Sequence, residues 1–440
     1  GNSSTQFLMS GNFAKQTTVF PGDFRYKKDN IHLTANHESE NKKFRISFSG
    51  GYTVQDNNQP YLDLTRDSRL LAPNAPALYD ANGNLNWQNN TFNNPLRHLN
   101  GKYSALTYDL LANSVVSYNV LPNLELKSAF GFTDLRHEES STAPSTIYNP
   151  ALGIGTDNSI LFLNNSGRQS WIVEPQANWT KSYGKATVSL LAGGTFQNKT
   201  GNQIVHQALG FPSNSLIYNL AAASNVTITQ NDESVYKYQA FFGRANLNWD
   251  DKYIINLTGR RDGSSRFGPG KQFATFGAVG AAWLFTNEKV LKDNKIISFG
   301  KLRASYGTTG NDQIGDYQFL DTYTTTGVAY DGVVGLEPSR LFNPAFGWET
   351  NKKFEIGLET GFLKDRIFIT AGWYSNRSSN QLVGIPLPGT TGFTSVQANL
   401  DATVENRGLE LTLRTVNMQN KDFSWSTNFN ISLSKNELVS

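Results

Sequence analysis

Cysteine is absent from the 440 residues and methionine occurs only twice. Without thiols there is neither a disulfide framework nor a thiolate metal site, and no redox compartment can be read. Charge is scarce as well: 39 Lys+Arg and 36 Asp+Glu make up 17% of the chain, against roughly 25% in soluble domains. The net charge of +3 offers no field for nucleic acid or another polyanion. No run approaches the roughly 18 apolar residues that a membrane helix needs; the best, over residues 276–285, is interrupted by glycines. Helical membrane proteins are excluded by this, and membrane barrels are not. The opening Gly1-Asn2-Ser3-Ser4 carries no basic or apolar signal region, and upstream sequence is expected to be missing.

Small polar residues, 38 glycines and 12% aromatics stand where the charge would be, and they are arranged with period two. From Phe423 to Leu433, Phe, Trp, Thr, Phe, Ile and Leu alternate with Ser and Asn, which describes a strand with one greasy and one wet face. Phe354, Ile356 and Leu358 oppose Lys353, Glu355 and Glu359, and Ile367, Ile369 and Trp373 oppose Arg366, Thr370 and Tyr374. Leu409, Leu411 and Leu413 oppose Glu410, Thr412 and Arg414; Tyr253, Ile255 and Leu257 oppose Asn256, Thr258 and Arg260. Trp171, Val173 and Trp179 oppose Glu174, Gln176 and Asn178, with weaker alternation around 44–52, 106–120, 124–132 and 186–196. About fifteen strands result, many longer than the usual five or six residues and too long for an ordinary sandwich.

Connections alternate between short and long. Short turns are expected at 121–123, 181–185, 250–252, 363–365 and 416–421, with a longer one at 287–295 that includes a possible helical turn; long loops are expected at 56–102, 139–167, 206–233, 311–349 and 383–401. Strands running up and down place all short turns at one end and all long loops at the other, the layout of an outer-membrane barrel. Trp249 with Tyr253, Trp179 with Tyr183, and Phe423 with Trp425 flank short turns, as an aromatic girdle would. In hydrocarbon every backbone group must be paired, so a spanning sheet has to close. An odd count of about fifteen therefore reads as part of a larger barrel.

Four stretches resemble the SusC/RagA-type TonB-dependent outer-membrane transporters: GRRDGSSRFGPGKQFATFGAVGAAWLFTNE over 259–288, KLRASYGTTGNDQIGDYQFL over 301–320, the 343–383 segment with NPAFGWET and FEIGLETGFLKDRIFITAGWY, and VENRGLELTL over 404–413. They cover about the last 40% of the chain, in the family's order. Departures are Ala371-Gly372-Trp373-Tyr374, where an acidic residue before the Tyr is commoner in the family, and Asp401, where Gly is common. Nothing resembles the N-terminal plug, the TonB-contacting box or the final strands. The resemblance implies an all-β, antiparallel up-and-down transmembrane β-barrel, present here in part: about 15 of about 22 strands, with residues 1–440 belonging to one barrel domain. It also implies location in the cell outer membrane, contact with outer-membrane lipid, energisation by the TonB complex through the missing N-terminal part, a SusD-like surface lipoprotein as partner, and import of oligosaccharides or, less often, peptides.

No catalytic constellation is visible, so no enzyme activity and no cofactor are expected. His32, His37, His98, His137 and His206 are scattered, without a zinc or triad motif. Glu355 and Glu359, four apart on one strand face, stand roughly 13 Å apart along the backbone, too far for a glycosidase pair. Asp80-Ala81-Asn82-Gly83-Asn84 lacks the later ligands of a calcium loop, and Pro269 occupies the lysine position of a P-loop; both read as turns. Candidates for a hydrated lumen that faces plug and solute are Arg244, Arg260, Lys353, Glu355, Glu359, Arg366, Glu410 and Arg414. Candidates for solute or lid contact, since aromatic rings stack on sugar faces, are the loop residues Tyr79, Trp87, Tyr148, Tyr218 and Tyr330. The competing reading is a soluble, secreted all-β carbohydrate-binding protein whose greasy rows would meet in a dry core.

Overall fold

The computed structural model describes residues 1–291 and 294–440. Nineteen strands are found among them: β1 (Thr5–Thr17), β2 (Arg25–Glu38), β3 (Phe44–Pro60), β4 (Lys102–Leu121), β5 (Leu124–Ala143), β6 (Ile160–Tyr183), β7 (Ala186–Leu209), β8 (Asn225–Trp249), β9 (Tyr253–Ser264) and β10 (Phe273–Trp283), followed by β11 (Ile297–Asn311), β12 (Thr322–Tyr330), β13 (Val333–Arg340), β14 (Glu349–Phe362), β15 (Ile367–Ser379), β16 (Gln381–Pro386), β17 (Ser395–Leu400), β18 (Val404–Gln419) and β19 (Ser424–Leu438). Fifteen of these pair with their chain neighbours in the order β1 to β11, β14, β15, β18, β19, which matches the expected count, and the pairs β1–β2, β2–β3, β8–β9, β9–β10, β10–β11, β11–β14, β14–β15, β15–β18 and β18–β19 are antiparallel. β12–β13 and β16–β17 are separate hairpins inside what the sequence suggested were plain loops.

The long strands also run further than their alternation. β6 and β7 have 24 residues each and β8 has 25, so the loops expected at 139–167 and 206–233 shrink to 144–159 and 210–224. The extra residues, such as Asn164-Asn165-Ser166 and Gln197-Asn198-Lys199, are polar on both faces. Period two vanishes once both faces meet water, although the ladder of hydrogen bonds continues. The short–long rhythm is nonetheless kept along most of the large sheet and breaks only around β10, where the 265–272 connection on the long-loop side is shorter than the 284–296 connection on the other. In the 287–295 connection a single 3-10 turn lies at Phe285–Asn287, earlier than anticipated, and residues 292 and 293 lie outside the described residues.

Contacts divide the chain into two compact units. The first comprises residues 1–116, 129–172 and 198–235. There β1, β2 and β3 register Phe7 with Ala35 and Phe48, and Met9 with Leu33 and Gly50, and both Phe7 and Met9 are exposed. Its dry part lies under the loops, where Leu161, Ala208, Phe211 and Ile217 pack together. The 61–101 loop is organised by buried Asn94, whose amide donates to the carbonyls of Leu78 and Asn86 while its oxygen accepts from Leu96 N. A buried amide is tolerable only when its donors and acceptor are all satisfied, and this one makes an otherwise irregular segment specific.

The second unit comprises residues 117–128, 173–197 and 236–440. One register row crosses its strands from β8 to β19 as Trp249, Tyr253, Trp283, Leu302, Leu358, Ala371, Leu411, Ile431. Every member is apolar or aromatic. The row starts beside the 250–252 turn, whereas Leu411 is eight residues from the Gln419 end of β18. A row perpendicular to tilted strands climbs in this way, leaving aromatics at the turn end and aliphatics higher up. Only fourteen hydrophobic residues are buried among the described residues, while Leu257, Leu409, Phe429 and Leu433 are exposed. The greasy rows do not meet in a dry core, and in water they would leave an apolar surface far beyond that of a soluble monomer.

Candidate functional site

The opposite face of the second unit is polar and carries most of the expected lumen residues. Lys301, Arg303 and Ser305 of β11 point the same way as Glu355 and Glu359 of β14, because Lys301 registers with Glu359 and Ser305 with Glu355. Lys301 Nζ and Arg303 Nε both lie 3.2 Å from Glu359 Oε1, and another nitrogen of the Arg303 guanidinium pairs with Glu355. The two carboxylates therefore converge on one cation, contrary to the expectation from backbone spacing that they stay apart. Their charges are offset by that pairing, so the arrangement still provides no acid and base for glycosidic cleavage.

Beside this cluster lies a hollow of about 570 Å³, lined among others by Arg303, Glu355, Tyr374, Asn376, Asn406 and Glu410. The row Arg303, Gly357, Gly372, Glu410 explains it, since two neighbouring positions carry no side chain. A Cβ on Gly357 would come within 2.9 Å of the Arg303 guanidinium, while one on Gly372 would meet open space. Tyr374 registers with Gly408 and lies over it, its hydroxyl 2.8 Å from where a Cβ would stand. An aromatic ring shielding a strand glycine restores packing that the missing side chain gives up. Lys353 and Glu410 have no ion pair among the described residues and remain exposed on this face.

The other candidates are placed differently. Arg260 donates to Tyr238 Oη at 2.6 Å, pairs with Asp262 and lies over the Phe242 ring. Arg244 shares the face of Thr258, with which it registers. Arg414 lies over Phe368, 5.6 Å from the ring centroid. Arg366 stands in the short turn before β15 and donates to the carbonyls of Val416 and Asn417, so it fastens two turns together and does not join the charged cluster.

At the long-loop end of this unit Phe267, Phe276, Phe346 and Trp348 form a buried nest. Trp348 Nε1 donates to Gln272 O at 3.0 Å, and the Trp348 ring packs at a tilt against Phe267, 5.0 Å between centroids. The β16–β17 hairpin clasps the Asn343–Glu349 stretch: Asn399 accepts from Gly347 N and donates to Gly347 O, both at 2.8 Å, and Asn380 donates to Trp348 O. Arg266 adds a second clasp by pairing with Asp316 at 2.9 Å, donating to Asp312 O and lying 4.3 Å from the Tyr236 ring, whose hydroxyl donates to Asp312. The NPAFGWE stretch is thus a packing device that returns the long 312–348 loop onto the sheet.

The loop aromatics are scattered. Tyr79 sits in an isolated bridge with Leu85 and is exposed, Trp87 and Tyr148 are half-buried, and Tyr218 is exposed. Tyr330 ends β12 and is 88% exposed. In the first unit Asp80 closes an Asx turn, accepting from Asn82 N and Asn84 N; those backbone donors hold its carboxyl below the usual range. This confirms a turn at 80–84. Burial pushes the His98 imidazole down.

Lys301, Arg303, Arg266 and Tyr236 were not picked out from the sequence. The first two were legible, because Lys301, Arg303 and Ser305 alternate with Leu302, Ala304 and Tyr306; the last two act through loop packing that no local period marks. Among the described residues no group of three or more His, Cys, Asp or Glu is placed to hold a metal, and no helix is long and apolar enough to cross a membrane.

Comparison with known proteins agrees with this geometry. TonB-dependent receptor P3 of Formosa agariphila is 28% identical over the whole chain and 45% of its own length. TonB-dependent receptor SusC of Bacteroides thetaiotaomicron is 30% identical over 46% of this chain and 20% of its own length. A solved structure of the RagAB peptide transporter superposes over the whole chain and 50% of its own with a TM-score of 0.87 at 22% identity, which bears on the fold alone. The chain spans about half the length of these full-coverage relatives. The family described as TonB dependent receptor-like, beta-barrel matches residues 10–437, and the chain belongs to that family.

Proposed function

We propose that this chain is the barrel wall of a SusC/RagA-type, TonB-dependent importer in the bacterial outer membrane, with residues 1–440 contributing to a single barrel domain. The observation that carries the reading is the two-faced sheet: continuous greasy rows on one side, mixed charges and amides on the other, short turns at one end and long, structured loops at the other. Hydrocarbon outside and water inside reward that pattern. The solute is an oligosaccharide, less readily a peptide. A neutral, hydroxyl-rich solute suits a face whose charges are mostly compensated and whose remaining groups are Asn, Ser, Thr and Tyr. A SusD-like lipoprotein covers the long-loop end, and TonB acts through a plug that belongs to the rest of the protein. The candidate lumen and loop residues named above serve passage and lid contact, and no chemical step is performed on the solute.

The test is uptake of labelled oligosaccharides by cells carrying the complete reading frame, in hosts with and without TonB. TonB-dependent accumulation is expected. Equal uptake in both hosts would reduce the protein to a passive pore. A soluble carbohydrate-binding protein would instead stay monodisperse in buffer without detergent, an outcome opposed by the exposed rows of Leu257, Phe429 and Leu433.

A further inference from the structure

The greasy face changes character toward the long-loop end. Above Ile356, Trp373, Leu409 and Leu433, which share one register row, the same outward face carries Lys352, Arg377, Arg407 and Lys435, with Glu405 and Glu437 between them. Lys352 is ten residues from the Phe362 end of β14, and Arg377 is ten from the Ile367 start of β15. At about 3.3 Å per residue that is about 33 Å along the strand, or about 25 Å of height at the usual tilt, the top of a barrel's apolar band. These groups stand where hydrocarbon gives way to headgroups.

The cluster is built around its acids. Glu405 is only 7% exposed and accepts from Ser375 Oγ at 2.7 Å and from Arg377 Nε at 3.0 Å; Arg407 reaches Glu437 at 2.9 Å, and Lys435 pairs with Glu437 as well. The carboxylates lie beneath and fix the guanidinium groups, which remain half-exposed, while Lys352 has no ion pair among the described residues. Four cations against two anions leave +2 on one small outward patch. Arg presents a planar fork of donors suited to phosphate oxygens, and directly below stand Trp373 and Phe354 in edge contact at 5.9 Å together with two leucines. Cations over an apolar wall match one kind of molecule, an amphiphile whose phosphate meets the cations and whose acyl chains lie on the wall.

We propose that this patch is a binding site for a phosphorylated glycolipid of the outer leaflet, the lipid A class. The assignment rests on the barrel reading above, which places the long-loop end outward. The protein purified in detergent micelles is titrated with diphosphoryl lipid A, with dephosphorylated lipid A and with phosphatidylglycerol, and bound lipid is counted by native mass spectrometry. Saturable binding of the diphosphoryl form is expected, weakened roughly fivefold by each of Lys352→Gln and Lys435→Gln and unchanged by Lys421→Gln in the short turn at the other end. Equal binding of the dephosphorylated lipid, or equal weakening by Lys421→Gln, overturns the site. Equal binding of phosphatidylglycerol overturns the choice of glycolipid. Solubility without detergent would instead sink the barrel reading, whereas a detergent-dependent protein indifferent to the phosphate would sink this site alone.

Discussion

Arg303 donates through Nε to Glu359, 3.2 Å away across the β11–β14 pair, while a second nitrogen of the same guanidinium holds Glu355. The group is about one-third exposed, so the attraction is screened by water. A double-mutant cycle of Arg303→Gln and Glu359→Gln is expected to give a coupling of about 0.5–1 kcal/mol, shrinking as salt is raised to about 1 M, where the screening length is about 3 Å. Coupling that is large and insensitive to salt would mean the pair is dry, contrary to a hydrated lumen.

Leu411 and Thr412 test the facing of the whole sheet. They are adjacent on β18 and register with Ala371 and Thr370 respectively, on opposite faces of β15. Leu411→Arg is expected to weaken insertion into bilayers by roughly 2–4 kcal/mol, the cost of a cation near the midplane, and Thr412→Arg to have little effect. Folding titrations into lipid vesicles measure both, and equal effects would contradict the orientation.

How much of this was legible depended on which solvents a segment divides. In the proposed orientation β18 and β19 lie between hydrocarbon and water over much of their length, which is why Leu409, Leu411 and Leu413 declared themselves by period two. The upper part of β7, Gln197-Asn198-Lys199-Thr200, meets water on both faces and loses the signal, though not the strand. The convergence of Glu355 and Glu359 on Arg303 was hidden for another reason: spacing along one strand says nothing about a long side chain arriving from the next. Trp348 and Phe267 are 81 residues apart, and only the folded loops bring them to 5.0 Å.

That aromatic nest sets a third expectation. Phe267 is fully buried and touches both Phe346 and Trp348. Phe267→Ala removes its ring from a closed cluster and is expected to cost about 3–5 kcal/mol locally. The loss should surface as faster amide exchange and protease nicking within 312–348 and 380–403, while β18–β19 stays protected. Uniform loosening of the sheet would show that the nest supports the wall and not only the loops.

The short-turn end should answer to pH. Asp250 Oδ2 lies 3.1 Å from Lys185 Nζ and 3.3 Å from Lys252 Nζ, and Lys252 also reaches Glu288 at 3.3 Å. The Lys185 and Lys252 ammonium groups hold the Asp250 carboxyl below its ordinary 3.8, Tyr253 and Trp283 as donors together with Lys252 hold Glu288 below 4.5, and Asp250 and Glu288 raise Lys252 above 10.5. A lowered acid stabilises the folded turn above its unfolded value, and that contribution is lost as pH falls through the folded one. A raised base stabilises the turn below its unfolded value and loses that contribution as pH rises through the folded one. Amide protection across residues 250–252 and 284–288 should therefore be flat from about pH 5 to pH 10 and fall on either side. In Asp250→Asn the acid limb should shrink to the part due to Glu288. An acid limb of unchanged size in that variant would mean that carboxylates elsewhere govern this end of the sheet.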